Sequence, residues 1–395
     1  MPIPIHYLHV YQRPKAGTTF LKRFPVYNYQ HSISNMGWFD TASCDIAVRS
    51  ASEGKDILDH YLGCRVAVFV DNPITPVWEG FINRIIFNSG GASYTISLDE
   101  LANRVSVVYT ATGNVGTENA PINDTNSQAI YGIKQDQIEF GADASPGVGT
   151  SQRSILRSTI LAQHAYPQSS FSQAQGQTNV VHFELLGFYH TLEWEKLFTA
   201  TSTTTTAAST KITTLLAALG NGSTFFNNAD TSLINTNTTL VPDQQRGVSY
   251  WELFQKIAEA GDSTNYWIIG LTPTNPNTKT RALYYRQANF NTLYSARQAD
   301  GLRIRNIYGK IIPAWQVVPD GVIRVSDALI GTSGNVVTDP TLTYIQSIQY
   351  DANSQRVQWF GADDTTARAA FMLKRSFKPL SRNQPGSAPT RVIVT

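Results

Sequence analysis

A chain of 395 residues with a net charge of +2 has room for roughly two to four domains and lacks the basic field of a nucleic-acid binder. Only 15% of its residues are charged against 42% apolar, so Thr, Ser, Asn and Gln supply the surface polarity. Such a surface repels itself weakly and suits a protein packed among partners. No run approaches the ~20 apolar residues of a membrane helix. The opening MPIPIHYLHVYQRP lacks a basic segment followed by an apolar one, so folding in a cytoplasm is expected. Cys44 and Cys64 show no C-x-x-C spacing, which argues against zinc and for two small buried residues.

Residues 1–22 read as an extended arm, because Pro2, Pro4 and Pro14 forbid a helix; His6 and His9 are arm contacts. Residues 23–36 and 37–49 read as paired strands, the second with Ala42, Cys44, Ile46 and Val48 alternating at period two. Ser52 is placed to cap a helix over 53–62, with Ile57, Leu58, Tyr61 and Leu62 as its apolar stripe and Gly63 as its stop. The stretch 65–109 then organises the chain. Val66, Val68 and Val70 face one way, and Asp71-Asn72-Pro73 turns. Val77–Phe87 is a long strand in which Gly80 allows a bend or a close backbone approach. Gly90-Gly91 turns again, Tyr94, Ile96 and Leu98 alternate on the return strand, and Asp99 caps a short helix leading into Val105–Tyr109. The sum is a small β-barrel or sandwich.

Those residues carry a family resemblance. Gly37-Trp38-Phe39, Arg65-Val66-x-Val68-Phe69, Val77-Trp78-Glu79-Gly80-Phe81-Ile82-Asn83-Arg84 and Leu101-Ala102-Asn103-Arg104-Val105, in that order around a helix, resemble the first domain of bacteriophage tail-tip and baseplate hub proteins. The resemblance covers residues 1–112 and rests on order and spacing. It implies a tail-tube fold whose barrels join edge to edge into a ring.

Residues 110–128 read as a loop, 129–133 and 137–140 as a strand and a turn, and 151–164 as a helix. Val180–Trp194 is strongly β and returns to a β core. Residues 199–210 are low-complexity and polar, ahead of a helix at 211–219. The best helix is 249–260: Ser249 caps it, Glu252 completes a capping box, Gly261 ends it, and Trp251, Phe254, Ile257 and Ala258 form its buried face. Strands follow at Tyr266–Gly270, Ala282–Tyr285, Leu302–Ile307, Val317–Val325, Tyr344–Tyr350 and Arg356–Phe360. Val317–Val325 resembles the entry to the family's second barrel. Asp363-Asp364 begin a final helix to Arg375, and 379–395 is a loose tail.

The expected architecture is therefore mainly β with a few helices (α+β), with two tail-tube-like barrels and a small mixed connecting region. Its units are the arm and first barrel (1–112), a mixed β/helix region (113–200), a polar linker and helical region (201–263), a second barrel (264–362) and a C-terminal helix with a basic tail (363–395).

No constellation for chemistry emerges, and no catalytic, cofactor or metal residue is assigned. His182-x-Glu184 begins a zinc-deaminase signature, but no cysteine follows Cys64 to complete it. His182 and His190 read as surface histidines on one strand face, and Gly147-x-Gly149 as a loop. Asp99-Glu100 and Asp363-Asp364 read as helix caps, and no nucleophile elbow, H-E-x-x-H or Walker loop occurs. From Thr365 onward six basic residues and no acidic ones follow. Arg368, Lys374, Arg375 and Lys378 are expected to contact an acidic protein neighbour.

The reading is a non-enzymatic tail-tip hub, a homotrimer whose two barrels per chain match a six-fold tube. Trp78, Glu79, Phe81, Arg84, Trp251, Val322 and Arg324 are the expected subunit interface, with Val77–Phe87 and Val317–Val325 as the pairing edges. The distal tail protein, tube protein, tape measure and spike or fibre are the expected partners, with DNA passing through. A distal-tail or receptor-binding module contacting host glycans, and a tail-associated cell-wall hydrolase, are the alternatives.

Overall fold

The computed structural model describes residues 4–13, 19–71, 76–111, 115–118, 120–142, 146–173, 179–197, 206–241, 247–262, 264–275, 280–297, 303–326, 329–330, 336–337 and 341–362.

Six antiparallel strands close into a barrel. They are β1 (His6–Tyr11), β2 (Phe20–Ser34), β3 (Trp38–Ala47), β4 (Arg65–Val70), β5 (Trp78–Ser89) and, after β6 (Ala92–Ser97), β7 (Arg104–Ala111), β8 (Gln135–Ala142) and β9 (Gln168–Gln173), the sixth wall strand β10 (Val180–Leu186). The order β1-β4-β5-β10-β3-β2 returns to β1, because β1 pairs with both β2 and β4: Leu8 lies opposite Phe24 on one side and Val68 on the other. Alternation puts one face inside. Cys44, Phe183 and Ile85 form a cross-strand row, and all three are fully buried. Both cysteines are buried free thiols.

β5 is bent, and the bend has a cause. Its first half pairs with β4 and its second half with β6, while β10 runs along the opposite side. The register slips by one residue at Asn83, a bulge that turns the strand. Gly80 lets the β5 and β10 backbones meet, since a Cβ there would lie 2.1 Å from the Leu186 carbonyl oxygen.

The remaining sheet grows from the barrel. β2 also pairs with β16 (Thr341–Asp351), which pairs with β15 (Gly321–Ser326) and, on its other side, with β17 (Arg356–Ala362). β15 continues to β13 (Thr292–Arg297) and then β14 (Ile304–Asn306). A 3₁₀ turn at Ala314–Gln316, after β14, packs back against β17. β11 (Trp267–Leu271) and β12 (Leu283–Gln287) form a separate ladder, joined to the barrel through a Gly37–Gly270 bridge.

The mainly β class with few helices is borne out. The second barrel differs from expectation. Among the described residues β13 to β17 make an open extension of the first sheet, because β14 and β17 share no ladder, while β11 and β12 form a ladder of their own. β10, expected in the mixed region, belongs to the barrel wall.

The helices are α1 (Ala51–His60), α2 (Thr125–Tyr131), α3 (Pro146–His164), α4 (Ala208–Ala218) and α5 (Tyr250–Ala260). Ser50, not Ser52, caps α1, accepting from the Glu53 N–H while the Glu53 carboxylate accepts from the Arg49 N–H. Segment 129–133, expected as a strand, largely falls in α2, started by Asp124 accepting from the Ser127 N–H. Gly147 and Gly149 lie in the first turns of α3, not in a loop. No helix follows Asp99, whose side chain is bonded elsewhere. Ser249 caps α5 as expected, accepting from Glu252 N–H at 3.1 Å. Residues 363–395, including the expected final helix, lie outside the described residues.

Candidate functional site: open edges and a tryptophan-lined groove

The expected interface residues are largely interior. Trp78 and Phe81 are fully buried in β5, and Phe81 packs edge-on to Trp194 at 5.3 Å. Trp251, on the buried face of α5, packs tilted against Tyr189 at 4.6 Å, and Val322 is covered by the Tyr344 cluster. Arg324 is exposed. β5 has ladders on both sides, and β15 lies between β13 and β16, so neither offers a free edge. Arg368, Lys374, Arg375 and Lys378 lie outside the described residues.

Glu79 is a buried anchor instead. Its carboxylate accepts from the Thr274 N–H at 3.1 Å and hydroxyl at 2.5 Å and sits 3.7 Å from the Arg281 guanidinium. Arg281 also donates to the Phe225 carbonyl and lies 3.5 Å over the Phe188 ring. Burial pulls this guanidinium below its usual value, and Glu79 offsets part of the loss. The network ties the segment before β12 to the barrel wall. Arg84 joins Glu184 at 3.1 Å and Asp99 on the outer surface. Against partial burial, hydrogen bonds to Asn83 and Ser97, and after them the Arg84 pairing, hold the Asp99 carboxyl low.

The free edges lie elsewhere. Among the described residues β9 pairs only with β6, and all six of its residues are exposed. Phe171 stands opposite Tyr94, 5.3 Å away, and Tyr94 opposite Phe87, 6.4 Å away and stacked. Among the described residues β17 pairs only with β16, whereas the outer side of β14 is taken by the 310–312 backbone, with the Asn306 N–H bonded to the Lys310 carbonyl and the Ile312 N–H to the Ile304 carbonyl, each at 2.9 Å. Between β17 and the 3₁₀ turn at Ala314–Gln316 lies a groove of about 1250 Å3, lined by Trp315, Trp359, Gln349, Gln358 and Arg356 among others. The indole N–H groups of Trp315 and Trp359 and the amides of Gln349 and Gln358 have no hydrogen-bond partner among the described residues. Sequence patterning missed both surfaces. Gln168-Ser-Ser-Phe-Ser-Gln173 carries one apolar residue and no alternation, and the two tryptophans meet only through the sheet. The lack of charge and proline in β9 was the available signal.

Two histidine clusters have opposite electrostatics. His190 lies in the 3₁₀ turn Phe188–Leu192, with Nε2 3.1 Å from Asp40 and Nδ1 3.1 Å from Glu193. Burial works against its charge, yet the two carboxylates outweigh it and push its pKa up to about 9. His31 sits where β2 meets the extension, its Nδ1 2.9 Å from the Tyr29 hydroxyl, beside Tyr350 and close to His6. Burial, with His6 adding to it, drives His31 down to about 3, and burial lowers His6 too. His182 and His190, expected on one strand face, are separate: His182 is on β10 and pairs with Asp45 at 2.6 Å.

Among the described residues no three His, Cys, Asp or Glu side chains are grouped to hold a metal. No helix among them is long and apolar enough to cross a membrane. No protein-family model matches this sequence, and no curated protein matches it.

Proposed function

We propose that this chain is a structural component of a bacteriophage tail tip, a baseplate hub that forms a ring continuing the tail tube. The ring would be a homotrimer, would anchor the tape measure and the spike or fibre, would contact the distal tail and tube proteins, and would leave a conduit for DNA. The observation that carries this reading is a closed six-strand barrel and an open five-strand extension sharing β2 within one chain. Two sheet units per chain are a geometric route from a three-fold tip to a six-fold tube. In this reading the edge of β17 pairs between subunits, replacing Val77–Phe87 and Val317–Val325, which are already paired. The test mixes purified chain with tube protein and images the product. Three-fold rings capping tubes are expected; a chain that never joins tubes or virions sinks the proposal.

The groove beside β17 favours a second reading, contact with host glycans. Indole faces can cover the apolar side of a sugar ring, and unengaged Gln amides and Arg356 can bond its hydroxyls. Binding on a glycan array that is lost in Trp359→Ala, by a chain that does not join tubes, would favour it over the hub. The hydrolase alternative gains no support from Asp99, whose carboxylate is engaged by Arg84 and Asn83.

A further inference from the structure

The β9 edge has features that single-chain proteins usually avoid. An unpaired strand is normally blunted by lysine, proline, a bulge or a covering loop. Gln168–Gln173 has no charge and no proline, pairs with β6 without a register shift, and is exposed at every residue. The side chains across the ribbon are ordered as well. Phe87, Tyr94 and Phe171 stand opposite one another on β5, β6 and β9, forming an aromatic row perpendicular to the strands. The row is buried at Phe87 (3% exposed), half-open at Tyr94 (43%) and ends in the open at Phe171 (64%).

We infer that β9 pairs antiparallel with β9 of a second copy of this chain, about a two-fold axis at Phe171. In that register Phe171 faces Phe171, Ser170 faces Ser172, and Ser169 faces Gln173. The aromatic row then runs unbroken through six strands, three from each copy. Cross-strand aromatic pairs and Ser pairs are both favourable, and a two-fold pairing sets the strand against itself, which any charge near the axis would oppose. The absence of charge is what makes a second copy the fitting occupant: the edge offers nothing for a charged partner strand to complement. The backbone of β9 gains the hydrogen bonds its open side lacks. The surface is small, so the pair is weak, with a Kd on the order of tens of micromolar. It is independent of the ring, which uses the β17 edge.

The test uses the purified full chain without tube protein, so its failure is separate from failure of the tail-tip reading. Phe171→Cys under mild oxidation should form a covalent dimer rapidly. Ser169→Cys, whose own copy lies two positions out of register on each side, should do so at least tenfold more slowly. Cys44 and Cys64 are buried and do not compete. By sedimentation equilibrium the unmodified chain should dimerise with concentration, and Phe171→Lys, which sets two like charges on the axis, should weaken the dimer at least tenfold. Because Phe171 is exposed, circular dichroism should show both variants folded; Phe171→Ser serves if either is not. Equal trapping of the two cysteine variants, a dimer indifferent to Phe171→Lys, or a chain monomeric at all concentrations would overturn the inference.

Discussion

The barrel and its extension share a strand but differ in closure. Between residues 6 and 186 six strands each have a ladder on both sides; beyond residue 290 the sheet ends, among the described residues, in β17 with a free side and in β14 flanked only by the short 310–312 segment. The barrel row Cys44, Phe183 and Ile85 excludes water completely, whereas Val357 and Trp359 on β17 are only half-buried. A closed ladder cannot open at one strand without opening at its neighbours, so barrel damage should be global and extension damage local. The difference assigns roles: the barrel is a scaffold, and the extension offers its backbone and a groove.

The largest expected effect tests this directly. Phe183→Ala empties a fully buried site and should cost about 3–5 kcal/mol, lowering the whole unfolding transition. Trp359→Ala removes a half-buried ring and should cost about 1–2 kcal/mol. Hydrogen exchange should then show faster opening confined to β16, β17 and their neighbours. Equal costs, or barrel amides exposed by Trp359→Ala, would remove the distinction.

Next is the anchor that fastens the segment before β12 to the barrel. Glu79→Ala leaves the Arg281 guanidinium buried without its carboxylate, at a cost of about 3 kcal/mol. The Phe225 carbonyl and the Phe188 ring still hold Arg281, which keeps the cost at the lower end of the range for broken buried pairs. Urea denaturation measures it; a loss under 1 kcal/mol would mean that Glu79 is not the anchor.

Much of the barrel was legible because its strands alternate. Val181, Phe183 and Leu185 announce an inward face, and Gly80 announces a close approach. Which strand closes the ring was not legible, because β6, β7, β8 and β9 come between β5 and β10 in the chain. α2 was misread because Ile130 and Tyr131 favour strands, while Asp124 and Ser127 supply a local N-terminal cap. Most of the expected interface residues are interior for a physical reason: Trp78 and Phe81 are large apolar residues on a strand, and sequence does not say whether such residues meet their own core or another chain. Arg84 and Arg324 alone among the described members of that set keep a substantial solvent-facing side.

The histidine clusters sharpen the comparison through pH. His31, at the joint between barrel and extension, has a folded pKa well below its unfolded value near 6.5. Its contribution is therefore complete above about pH 6.5 and lost as pH falls toward 3. His190, at the barrel base, is shifted upward, so its contribution is complete below about 6.5 and lost as pH rises toward 9. Acid should loosen the joint, and alkali the contact between β3 and the 3₁₀ turn. His31→Gln should flatten the acid limb of a stability–pH curve, and Asp40→Asn the alkaline limb. A variant that alters the wrong limb would show that another group governs it.

The smallest effect on stability is at Arg84, and that is why it is informative. Its pairs with Glu184 and Asp99 lie on the outer surface, with the guanidinium side chain 36% exposed. Exposed pairs contribute little, so Arg84→Ala should change the unfolding free energy of the isolated chain by about 0–1 kcal/mol. Glu184 and Asp99 would then face solvent as two unneutralised carboxylates on the barrel wall. If that wall meets a neighbour in a ring, tube joining should fall sharply while the melting curve stays in place. Stability and assembly separate at this residue, whereas at Trp78 or Phe81 they would fail together through the core. Normal tube joining by Arg84→Ala would place the ring contact away from the barrel wall, on the free edge of β17.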